Sequence, residues 1–192
     1  MINKKTIQNH ILEHLEVIKL IDDSFIDKIY SGAELIVKTL QNGNTVFWCG
    51  NGGSASDSQH LAAELIGRFD KNRKPIRSVS LSSDSAVLTC ISNDFGYDEV
   101  FARQLEGLGK KGDILVAIST SGKSKNVLNA ILRAKRMQIT SIGFLGKGGG
   151  EASSLCDNAI IVPSQTTARI QEIHILFGHI LCDLIEEGLD LK

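Results

Sequence analysis

Apolar residues recur along the first forty positions with a helical period. Ile7, Ile11, Leu15, Ile18 and Ile21 form one stripe, and Phe25, Ile29, Ile36 and Leu40 continue it after Asp22-Asp23-Ser24. This spacing predicts two helices ending at Asn42-Gly43-Asn44. Such a pair supplies no sheet strand, so its apolar side must cover the outside of a domain or meet another copy of the chain. From Thr45 the pattern changes. Short apolar runs at 45–49, 79–81, 114–118, 141–145 and 159–162 alternate with helix-like segments after Ser56 and near 84–92, 98–108, 125–137 and 150–156. A last helix is predicted over 168–189, with Ile170, Ile173, Leu176, Phe177, Ile180, Leu181 and Leu184 on its apolar side. Short apolar strands alternating with helices predict an α/β fold, a doubly wound five-stranded parallel sheet with an N-terminal helical extension. No repeat or linker interrupts it, so one domain over 1–192 is expected, with helices over 1–43 and an α/β core over 44–192.

Composition narrows this without redirecting it. A chain of 192 residues with 42% hydrophobic and 22% charged residues has the make-up of a folded domain with a substantial core. A formal net charge of -1 carries no electrostatic footprint for nucleic acid or an acidic membrane, so neither partner is expected. Cys49, Cys90, Cys156 and Cys182 are far apart and sit among apolar neighbours, which predicts buried, reduced thiols. Lys4 and Lys5 precede no unbroken apolar stretch, and no apolar run reaches membrane-spanning length. A cytoplasmic chain is the expectation.

Ligands of such sheets gather beyond the carboxyl ends of the strands. Two loops there are chemically unusual. Gly50-Asn51-Gly52-Gly53-Ser54-Ala55-Ser56 follows the first strand, and Ser119-Thr120-Ser121-Gly122-Lys123-Ser124 follows the third. Hydroxyls and free amides at a helix N-terminus suit a phosphate, because the macrodipole and the unpaired donors both favour an anion. Gly122-Lys123-Ser124 ends like a Walker A loop, but the upstream glycine position is Ala117. The first loop fits the dinucleotide pattern GxGxxA. The acidic residue that should follow is poorly placed, because Asp70 precedes the second strand and Asp84 lies beyond it. His60 and Glu64, at i and i+4, project from one helix face. On their own they are equally a surface pair. Arg169, Gln171, Glu172, His174 and His179 interrupt the apolar pattern of the last helix.

Four motifs together resemble the sugar isomerase (SIS) fold and, more narrowly, the phosphoheptose isomerase family. They are CGNGGSASDSQHLAAEL, Asn93-Asp94-Phe95-Gly96, the loop Ser119 to Ser124, and Ala168-Arg169-Ile170-Gln171-Glu172-Ile173-His174, and the likeness covers essentially the whole chain. It implies conversion of sedoheptulose 7-phosphate to D-glycero-D-manno-heptose 7-phosphate for bacterial lipopolysaccharide or capsule, a homotetramer, and one zinc ion per subunit. Matched by motif, Asn51, Gly52, Gly53, Asn93 and Asp94 are substrate-binding positions. Ser119, Thr120, Ser121 and Ser124 are the phosphate loop. His60, Glu64, Gln171 and His179 are metal positions, Glu64 and Gln171 also meet substrate, and Glu64 with His179 is the acid–base pair.

The chemistry is consistent with those residue types. Exchanging a ketose for an aldose moves a proton between adjacent carbons through an enediol, a task for a carboxylate and a histidine, with donors or a Lewis acid stabilising the oxyanion. One spacing raises a difficulty. Gln171 and His179 lie about 12 Å apart along a straight helix, which disfavours joint ligation of one ion within one chain. A site combining residues of different subunits is therefore expected. His174, five residues from His179, is either a separate contact or a core histidine. Two other classes stay open: a non-catalytic SIS protein binding the replication initiator, which has no chemical need of His60, Glu64 and His179, and a dinucleotide-dependent oxidoreductase.

Overall fold

The computed structural model describes residues 2–191. Two helices, α1 (Lys4–Lys19) and α2 (Asp23–Gln41), lead into β1 (Val46–Gly50) and α3 (Gly53–Ile66). Then come β2 (Ser78–Ser80), α4 (Ser85–Phe95), a 3-10 turn at Tyr97–Glu99 and α5 (Val100–Leu108). The chain closes with β3 (Ile114–Ser119), α6 (Lys125–Arg136), β4 (Thr140–Leu145), α7 (Ala152–Leu155), β5 (Asn158–Ile161) and α8 (Thr167–Gly188). The helix starts follow local chemistry: the side chains of Asn3, Asp22 and Asp84 accept from Lys5, Phe25 and Val87 amides, capping α1, α2 and α4.

All strands are parallel, in the order β2-β1-β3-β4-β5, the flavodoxin-like winding. Strand alternation separates two cores. Val46, Trp48, Ile114, Val116, Ile118, Ile142 and Phe144 face α2, α3 and α8. Phe47, Cys49, Leu115, Ala117 and Leu145 face α4, α5 and α6. The order reverses between β1 and β3, whose register pairs Gly50 with Ile118. The two unusual loops therefore leave the sheet side by side at the switch point, where α/β folds hold ligands.

The N-terminal pair divides. Ile29, Ala33 and Ile36 of α2 are buried in the first core, so α2 is a full member of the helical layer. In α1 only Val17 is buried; Ile7, Ile11, Leu12 and Leu15 remain 46–60% exposed in the single chain. Two expectations are corrected. The edge strand β2 begins and ends one residue earlier than predicted, with Val79 facing outward. Cys90 is exposed on α4, because the inward side of that helix is taken by Ile91, Val87 and Leu88. Cys49 and Cys182 are buried as expected and Cys156 is half-buried. Burial raises all three thiols, Cys156 and Cys182 to about 12, which leaves them protonated and unreactive.

Candidate active site

The site is built from three segments. After β1, Gly52 takes a positive φ of 55° as the N-cap of α3, and Gly53 begins that helix. A side chain at Gly53 would run into the Gln171 amide of α8. After β3, the Ser119 hydroxyl accepts from the Gly122 amide at 3.1 Å and lies 3.4 Å from the Ser124 hydroxyl, while Ser121 accepts from the Lys123 amide at 3.2 Å. Ser124 is the N-cap of α6 but makes no side-chain capping bond, so its hydroxyl, held only by the long contact to Ser119, can meet a ligand at a helix terminus that favours anions. Thr120 stands half-buried in the same loop. At the end of α4, Asn93 donates to Asp94 at 2.8 Å, both exposed. Tyr97, just beyond, donates its hydroxyl to Asn51 at 2.8 Å and joins this segment to the first.

A second group forms where α3 and α8 meet. Gly178 lies directly against Leu61, and any side chain there would hold the helices apart. The close approach brings His179 to His60, Nε2 to Nε2 at 3.3 Å, and His60 Nε2 is also 3.0 Å from Glu64 Oε1. Among the described residues this is the one group of three or more His, Cys, Asp or Glu side chains whose donor atoms converge within 4.8 Å. A single imidazole nitrogen cannot satisfy a carboxylate and a second imidazole with one proton, whereas a cation between them would accept all three lone pairs. Two imidazole nitrogens and one carboxylate oxygen are a donor set that suits zinc. The His–Glu–His set can therefore bind a metal. Gln171 stands apart from it, two turns back along an unbroken α8 and against Gly53, so the one chain joins three of the four expected metal positions.

Behind this group lies a buried clamp that sequence reasoning missed. Arg73 Nε meets Glu186 Oε1 at 2.7 Å, with the two side chains 2% and 0% exposed. Arg73 also donates to the backbone oxygens of Glu64 and Leu65 at the end of α3. Glu186 accepts the amides of Phe69 and Asp70, and the Phe69 ring stacks on His179 with centroids 5.7 Å apart. Burial alone would raise the Glu186 carboxyl; Arg73 and the two amides outweigh it and hold the group below its ordinary value. Asp57, one turn before His60, was also passed over. One of its oxygens is buried without a hydrogen bond, and burial lifts the carboxyl to about 6 despite the opposing pull of His60.

The remaining polar groups of α8 serve structure. Arg169 donates to His10 O at 2.6 Å and pairs with Glu172, which meets His14 at 2.7 Å, so these two tie α8 to α1. His174 is a core histidine, 1% exposed, with Nε2 on Leu145 O at 3.0 Å. Asp84, four residues beyond β2, uses one carboxylate oxygen to cap α4.

Comparison with known proteins agrees with this geometry. Residues 11–146 match the family model described as the SIS domain. The chain is 50% identical to a phosphoheptose isomerase of a Nitratiruptor species, covering 95% of this chain and 97% of that one. It is 51% identical to one of Helicobacter pylori, covering 94% of each. The solved phosphoheptose isomerase of Neisseria gonorrhoeae superposes with a TM-score of 0.91 at 37% identity, covering 96% of this chain and 98% of that one. That of Francisella tularensis gives 0.93 at 33% identity, covering 97% and 100%. With a family model over most of its length and full-length relatives at half identity, the chain belongs to the phosphoheptose isomerase family of SIS-domain proteins.

Proposed function

We propose that this chain interconverts sedoheptulose 7-phosphate and D-glycero-D-manno-heptose 7-phosphate, an aldose–ketose isomerisation that supplies heptose for surface polysaccharide. The observation that carries the reading is a hydroxyl loop at the switch point together with a carboxylate–imidazole group on the adjoining helices, in a chain half identical to phosphoheptose isomerases. Ser119, Thr120, Ser121 and Ser124 hold the phosphate against the start of α6. Asn51 to Gly53, with Asn93 and Asp94, hold the sugar. Glu64 takes the proton from C1, giving a 1,2-enediol, and the proton is returned to C2 as the carbonyl moves to C1. His179 carries the proton between the two oxygens. No atom is gained or lost.

Zinc, held by His60, Glu64 and His179, would supply positive charge for the oxyanion that develops along the way. A glutamate bound firmly to zinc would be a poorer base, so the two roles of Glu64 would compete for one carboxylate. Gln171 reaches the sugar from its place beside Gly53, or a metal site completed by a second subunit. A homotetramer agrees with the apolar row left bare on α1 and with the adjoining groove of about 550 Å³ lined by Ile18, Ile26, Tyr30, Leu176 and Ile180. Sugar phosphates are made and used in the cytoplasm, which is where the enzyme would work. The test is direct: purified protein is incubated with sedoheptulose 7-phosphate, with and without zinc, and aldose formation is followed. No turnover under either condition overturns the proposal.

A further inference from the structure

Asn51 stands at the tip of β1 with its side-chain amide inside a hydrogen-bonded knot, and one backbone group determines every donor in it. The Val127 amide, near the start of α6, donates to Asn126 at 3.0 Å, so the atom it meets must be the oxygen Oδ1. That orientation sends Asn126 Nδ2 to Asn51 Oδ1 at 2.8 Å and brings Asn51 Nδ2 to Asn126 Oδ1 at 2.9 Å. Asn51 Oδ1 also meets the Tyr97 hydroxyl at 2.8 Å, which therefore donates. Both acceptor positions of the Asn51 oxygen are then filled. Of its two N–H groups one is used, and the other makes no hydrogen bond among the described residues. Asn126 is 3% exposed and cannot turn over without abandoning the Val127 amide. The turn carrying Tyr97 is in turn fixed to α6, because Asn129 donates to Asp98 O and Glu99 Oε1.

We propose that Asn126 and Tyr97 are positioning residues that lock the Asn51 amide with one N–H outward, so that Asn51 meets the sugar only as a donor to a hydroxyl or carbonyl oxygen. This rests on the reading that Asn51 touches the sugar. The knot also makes the three site segments one unit, since Asn51 follows β1, Tyr97 follows α4 and Asn126 opens α6.

The test is a double-mutant cycle on kcat/KM with sedoheptulose 7-phosphate. Tyr97→Phe removes one donor from an exposed ring and should lower kcat/KM about fivefold without moving the thermal midpoint. Asn126→Asp keeps shape and the Val127 bond but sets oxygen against oxygen in either orientation of the Asn51 amide, which drives that amide out of its locked position; the expected loss is larger, about thirtyfold. In the Asn51→Ala background both changes should alter kcat/KM by less than about twofold, because their effect passes through Asn51. Unchanged rates for both variants in the parent, or equal losses with and without Asn51, would overturn the inference while the isomerase reading stands. A parent protein that turns over no sugar phosphate removes both.

Discussion

Two polar groups lie along the same face of α8, two turns apart, and are built from similar side chains. At His179 the groups converge from α3 and α8 with capacity to spare: the His60 side chain is 47% and that of Glu64 24% exposed, and one nitrogen faces two partners. At Glu186 the carboxylate and Arg73 are buried and each nitrogen of the guanidinium has an acceptor. The first arrangement is left open toward a ligand, while the second is closed on itself. They are also joined. The Glu64 side chain belongs to the open group and its backbone oxygen to the closed one, and Phe69 has its ring on His179 and its amide on Glu186. A carboxylate next to a cation thus serves chemistry or architecture according to whether its hydrogen-bonding capacity is used up.

Substitution should separate the two groups. Glu64→Gln should lower kcat/KM by at least about a thousandfold, with sugar-phosphate binding largely kept and unfolding free energy within about 0.5 kcal/mol of the parent. A near-normal rate would remove Glu64 as the base. Glu186→Ala should do the reverse. It strands a buried guanidinium and two amides and should cost about 3–5 kcal/mol in denaturant unfolding, with turnover by the folded fraction falling far less than in Glu64→Gln. A cost below about 1 kcal/mol would mean that the clamp does not hold the α3–α8 junction.

The third prediction uses acid. Burial lowers the His174 ring to about 4, against the smaller opposing effect of its bond to Leu145. The unfolded chain therefore takes up the proton first. The stability His174 contributes is complete above pH 6.5 and is lost as pH falls toward 4, by about 3 kcal/mol in all. Asp57, raised to about 6, acts in the opposite sense across its own window. The His174 effect is thus read as the difference between the parent and His174→Asn at pH 7 and pH 4.5. A constant difference would show that the ring is not kept neutral. The smallest effect belongs to the serine loop. Ser121→Ala with Ser124→Ala should weaken substrate affinity about tenfold to a hundredfold and leave kcat within a few fold; unchanged affinity would remove these hydroxyls from the phosphate site.

Much of this was legible in the chain. Short apolar runs and the 3.6 period separate strands from helices, and glycine and serine runs mark both switch-point loops. Edges were harder: β2 is short and has only one covered side, so Val79 looked like core when it is surface. His60 and Glu64 could be placed on one helix face by spacing alone. Their partner His179 could not, since no local pattern joins residues 119 apart, and it entered only by family likeness. Arg73 and Glu186 were illegible for the same reason, and because a charged residue in a loop or beside Glu187 reads as solvated until its depth is known. Asn126, within the helical stretch 125–137, carries no signal of its own in the sequence. Its value lies in what β1 and the turn after α4 bring to it.

The order of the elements along the chain has a consequence for synthesis. The site draws on β1 near residue 50, β3 near residue 119 and α8, which is made after both. β1 has no central neighbour until β3 has been made, and His179 emerges later still. A nascent chain can therefore dock its helices in turn, yet it holds no complete group of donors at the α3–α8 junction until α8 has been made. Chains cut short before α8 should be inert toward sugar phosphates.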